Sequence, residues 1–147
     1  MDRTDRSGAS AYWALRVALG VVPIAAGLDK FTNLLADWQA YLSPVFARLI
    51  PFSPATFMHL AGIVEVVVGA AILLGYARVS AWVAMGWLAA IAVNLLSMGR
   101  YLDVAARDLV MATAAYALAR LAQAHEPARL KVRRSAPPVQ RPAEAHG

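Results

Sequence analysis

The chain has 147 residues, 60% of them hydrophobic and only 16% charged, with a mean hydropathy of +0.52. This excludes an ordinary soluble domain and indicates one small integral membrane domain. No cysteine is present, which excludes disulfides, thiolate metal sites and thiol redox chemistry within the chain. The net charge of +5 invites a nucleic-acid reading, but the basic residues gather around Arg129, Lys131, Arg133 and Arg134. There they read as a juxtamembrane topology signal that also favours anionic lipid, and no nucleic-acid partner is expected.

After a cytoplasmic N-terminal head, residues 1–11, the first apolar run covers about residues 12–28, within the roughly 17–25 residues that cross a bilayer. Ala25-Ala26-Gly27 makes a poor cleavage site, so this run is read as a span and not as a signal peptide. In the connection from Phe31 to Thr56, residues Phe31, Leu34, Leu35, Trp38, Leu42, Val45, Phe46 and Leu49 recur at helical spacing. That predicts an amphipathic segment on the outer membrane face, bent at Pro44 and ended near Pro51, acting as a peripheral cap or as a lid over a lateral ligand entrance. Spans two, three and four follow over about 57–75, 79–98 and 104–122, and their short connections force antiparallel neighbours. The expected fold is all-α: an integral membrane antiparallel four-helix bundle over 12–122, with the amphipathic interfacial segment between helices 1 and 2. Gly20, Gly27, Gly62, Gly69, Gly86 and Ala92 are the small residues expected to permit close packing. The basic, proline-containing tail, residues 123–147, cannot bury a core and is expected to be disordered. Arg3, Arg6, Arg16, Arg78, Arg120 and the tail cations fall on one side of the spans, against Lys30, Arg48, Arg100 and Arg107 on the other. This places both termini in the cytoplasm.

A charge inside such a span is costly unless it finds a partner or a wet cavity, so the few that occur mark the candidate site. With a rise of about 1.5 Å per residue, Glu65 falls near the midplane, and Arg107 and Asp108 lie in the outer half. Glu65 shares a helix face with Gly62 and Gly69, with His59 further out on nearly the same side. Arg107 is expected to reach down to Glu65, held from above by Asp103. Lys30 and Asn94 close the outer ends of spans one and three, and Arg16 lies near the cytoplasmic end of span one, where it is expected to snorkel. Two readings stay open: a buried ion pair that fixes helix register, or a polar pocket for an amphipathic ligand such as a quinone, in which a carboxylate handles protons and a cation grips a carbonyl. Transport is disfavoured, because no pair of broken helices is evident. His59 is the one histidine within a span, so this chain cannot supply a bis-histidine haem site by itself, and no metal is expected. Trp13, Trp38, Trp82 and Tyr101 read as interfacial anchors.

Leu15-Arg16-Val17-Ala18-Leu19-Gly20 with Ala26-Gly27-Leu28-Asp29-Lys30-Phe31, then Ala61-Gly62-Ile63-Val64-Glu65-Val66-Val67-Val68-Gly69, then Ala106-Arg107-Asp108-Leu109, resemble the DoxX family with its DoxD-like and MauE-related branches. The likeness extends over about Trp13 to Ala122. It implies a four-helix protein of the bacterial inner membrane that partners redox enzymes and in some members is linked to quinone reduction. Arg16, Lys30, Glu65, Arg107 and Asp108 match the family's polar positions. The leading expectation is a membrane subunit that binds a quinone near Glu65, Arg107 and Asp108 and serves a partner oxidoreductase. The alternative is a non-catalytic scaffold or accessory subunit of a membrane complex.

Overall fold

The computed structural model describes residues 3–135, with side chains described over 7–125. Among the described residues the structure is helical throughout its regular elements: α1 (Arg3–Asp29), a 3-10 turn (Trp38–Tyr41), α2 (Pro44–Leu49), α3 (Pro54–Leu74), α4 (Ala77–Met98) and α5 (Leu102–Ser135). Ser7–Asp29, Pro54–Leu74 and Ala77–Met98 are long and apolar enough to cross a membrane. The fourth expected span, 104–122, lies within α5.

Helix α1 begins at Arg3, so the described part of the head expected over 1–11 is helical. Two expectations change. Helix α5 continues past 122 to Ser135, since Leu121, Ala122, Gln123 and Ala124 are good helix formers that extend the preceding turns; the rest of the expected tail, 136–147, lies outside the described residues. The connection between α1 and α3 is not one bent amphipathic helix. Pro44 and Pro54 each begin a helix, with Ser43 and Ser53 as extended N-caps whose hydroxyls accept from the Val45 and Thr56 amides. Proline lacks the N–H that an interior helical position needs but suits the first turn, so both prolines set starts.

Helices α1 and α3 form one close pair and α4 and α5 another; smaller contacts join α3 to α4 and α1 to α5. In the first pair, glycines meet backbone. A Cβ added at Gly69 would lie 2.5 Å from the Gly20 carbonyl oxygen, and Cβ atoms at Gly27 and Gly62 would each lie 2.6 Å from the other residue's carbonyl oxygen. Both glycine sets recur every seven residues, which keeps them on one stripe where the antiparallel axes approach. The second pair is sealed by alanine: Ala81, Ala84, Ala115 and Ala119 are buried around Ile72 and Leu118. Gly75, with φ +117°, ends α3 and lets α4 begin almost at once.

The connection after α1 is fastened to α4 by Asn94. Its side chain donates to the Tyr41 carbonyl at 2.6 Å and accepts from the Ser43 amide at 2.9 Å, while the Ser97 hydroxyl donates to Ser43 Oγ at 3.0 Å. Asn94→Ala is expected to lower stability by about 1–3 kcal/mol through the unpaired amide and carbonyl it leaves. Hydrogen exchange would show loss of protection confined to residues 38–49; uniform loss over all helices would contradict this role.

Candidate functional site

Helix α1 delivers Asp29 as its last residue and Lys30 just beyond it, on a chain that turns sharply. The Asp29 carboxylate organises that turn: Oδ1 accepts from the Leu34 and Leu35 amides and the Thr32 hydroxyl, and Oδ2 accepts from the Trp38 indole at 2.7 Å. Trp38 is thereby laid over Lys30, with the Lys30 Nζ 3.7 Å from the ring centroid. Lys30 Nζ donates to Glu65 Oε2 at 2.6 Å, and the two side chains are only 6% and 8% exposed. Gly62, one turn before Glu65 on α3, makes the room: a Cβ there would stand 3.2 Å from the Lys30 Cβ. The other carboxylate oxygen, Glu65 Oε1, accepts from the Trp87 indole of α4 at 3.3 Å. The result is a buried ion pair walled by two indoles and contributed by α1, α3 and α4, in which each carboxylate oxygen has a donor. In a medium that cannot solvate charge, such pairing is the condition for keeping both groups ionised.

The second acid lies on α5. Asp108 is buried with Ala105, Ala112 and Ala115, whereas the Arg107 side chain is 59% exposed and curls back so that Nε and Nη2 both donate to Asp108 Oδ1 at 3.1 Å.

The expected pairing of Arg107 with Glu65 is therefore replaced. Lys30 holds Glu65, and Arg107 holds Asp108. Adjacent positions on a helix diverge by about 100°, so with Asp108 turned to the core Arg107 starts on the outer face and closes on its neighbour. Asp103 does not hold Arg107 from above; it is exposed in the first turn of α5, where an acid suits the helix dipole. His59 is exposed and stacks on Phe31, with ring centroids 5.1 Å apart and planes 12° apart. Asn94 fastens the connection and does not enter the ion pair.

Arg16 does not snorkel. It is buried, donating from Nε to the Ile72 carbonyl at 2.9 Å and from Nη2 to the Leu73 carbonyl at 2.7 Å, while Nη1 meets the Tyr12 hydroxyl and the guanidinium lies 4.8 Å from the Trp13 ring centroid. The end of α3 offers unpaired carbonyls and a negative dipole end, which a cation satisfies better than headgroup water does. This places Arg16 at the opposite end of α3 from Lys30, outside the candidate site. Every buried side-chain nitrogen and oxygen among the described residues has a partner, and no group of three or more His, Asp or Glu suited to a metal occurs among them.

Trp87 had no sequence signal of its own, being one aromatic in an apolar run. Trp38 reads as an anchor from sequence, and Asp29 stands only within the family-like motif around Lys30.

A family model described as DoxX matches residues 11–98. The chain belongs to the DoxX family. With three helices apolar and long enough to cross a bilayer, this DoxX protein is a multi-pass membrane protein. The match takes in Arg16, Lys30, Glu65, Trp87 and Asn94 and ends before α5, so Arg107 and Asp108 lie beyond it, where the sequence likeness had extended to Ala122. No curated protein and no solved structure gives a significant match to the chain.

Proposed function

We propose that this chain is an accessory membrane subunit: an antiparallel four-helix bundle of the bacterial inner membrane, with both termini cytoplasmic, that assembles with a partner oxidoreductase or another membrane subunit. The supporting observation is that the buried acids Glu65 and Asp108 already have their cations, Lys30 for Glu65 and Arg107 for Asp108. On this reading the ion pair is a clasp, and the outward apolar surface of the connection, with Leu34 and Leu35 at 83% and 78% exposure, meets lipid or the partner. Purification in mild detergent, with mass spectrometry of the companions, tests it. The Lys30→Met/Glu65→Leu double variant is expected to keep the same companion proteins as the wild type; their loss from a variant that still inserts and stays folded would sink the accessory reading.

A second reading has its own support in the two indoles that flank Lys30 and Glu65. A planar quinone head group suits such walls, and an ammonium and an indole N–H are the donors its carbonyls need. Both donors face Glu65 in the structure, so a head group binds by drawing one of them away, which leaves Glu65 to hold a proton. A bound quinone would supply two-electron chemistry, with electrons from the partner. Quenching of tryptophan fluorescence by a short-chain quinone, saturable in the wild type and abolished in Glu65→Gln, is the expected result. Identical titrations in the two proteins would exclude this site.

A further inference from the structure

A second candidate surface lies on the α4–α5 pair, on the face of α4 opposite Trp87. There Met85, Leu109, Ala112, Thr113 and Tyr116 line an open apolar groove of about 280 Å³. At one end it is bounded by Trp82 and Tyr116, exposed rings packed edge to face with centroids 5.6 Å apart. One turn further in the same direction, helical spacing places Arg78 below Trp82 on α4 and Arg120 below Tyr116 on α5. The Trp82–Tyr116 contact fixes the antiparallel register of the two helices, so both arginines fall at the same depth. Each is exposed; Arg78 has a contact of its own, so Arg120 is the cation that faces a headgroup. Tyr76, which caps α4, makes no side-chain cap, so the first-turn amides and positive dipole end of α4 lie at this level too.

An apolar channel, then an aromatic pair, then two cations is the polarity profile of a lipid read from acyl chain to phosphate. We infer that this face binds one anionic phospholipid, its chain along Met85, Leu109 and Thr113, its glycerol level at Trp82 and Tyr116, and its phosphate between Arg120 and Arg78. Charge complementarity selects this occupant: an apolar helix of a partner protein would fill the groove but leave Arg120 facing its end.

Native mass spectrometry of the full chain, with phosphatidylglycerol and phosphatidylcholine as competing probes, tests the site. The wild type is expected to retain phosphatidylglycerol preferentially. Arg120→Gln should reduce that preference about fivefold, the effect of one cation near an anionic headgroup, with further loss in the Arg78→Gln/Arg120→Gln double variant and recovery in Arg120→Lys. Thr113→Phe, which fills the groove from an exposed position, should weaken retention of both lipids. Substituting Arg133 and Arg134 by Gln should leave the preference standing. An unchanged preference in the double arginine variant overturns the inference, as does a preference lost only on changing Arg133 and Arg134. Release of a companion protein by Thr113→Phe with lipid retention untouched also overturns it, by assigning the groove to a protein partner.

Discussion

Lys30→Met is expected to lower the unfolding free energy by about 3–5 kcal/mol, the range for removing one member of a buried ion pair. The substitution keeps the length of the side chain, so the cost arises from the stranded partner and not from a cavity. Glu65 retains only the Trp87 donor at 3.3 Å and must be neutralised by a proton in surroundings that exclude water. The same reasoning predicts strong coupling between the two positions. Adding Glu65→Leu to Lys30→Met should restore most of the loss, since an apolar pair of similar volume no longer carries a desolvation cost. Thermal or denaturant unfolding of the detergent-solubilised protein measures the cycle. Simple additivity of the two single losses would show that the ion pair is not the source of the effect.

Gly69→Ala carries the second large effect, expected at about 1–3 kcal/mol from overpacking, with Gly69→Val worse. The atom in the way is the Gly20 carbonyl oxygen, 2.5 Å from the new Cβ, and backbone cannot rotate aside as a side chain can. Relief requires α1 and α3 to separate, which also lengthens the reach from Lys30 to Glu65. Gly86→Ala is the internal control. Nothing lies within 4 Å of a Cβ there, and alanine restricts the unfolded chain and favours helix, so this variant should be stabilised by about 0.4–1 kcal/mol. Parallel thermal melts of the two variants read both signs at once.

Gly86 also shows where sequence reasoning was weakest. Small residues on an apolar run mark a possible close approach but not which face is used, and of those singled out, Gly27, Gly62 and Gly69 meet opposing backbone and Gly20 meets the Leu73 side chain, whereas Gly86 meets nothing. The long apolar runs were legible because length and hydropathy alone decide them, as three of the helices show. Helix ends were less so: Pro44 read as a bend and is a start, because the Ser43 cap that turns one into the other is a single hydroxyl. Which cation reaches Glu65 depends on rotations of α1 and α5 of less than one residue step, and on a turn after Asp29 whose shape rests on hydrogen bonds to one carboxylate. Neither quantity leaves a trace in residue spacing. That Glu65 and Asp108 need partners was readable; the identity of those partners was not.

The division into two close helix pairs has a consequence for biogenesis. The charges of the first pair, Lys30 at the end of α1 and Glu65 on α3, complete each other within one helical hairpin. As that hairpin leaves the insertion machinery, Lys30 and Glu65 can enter the lipid phase as a neutral unit, before α5 has been synthesised. The nascent chain thus never has to present a lone charge to the bilayer while waiting for its last helix.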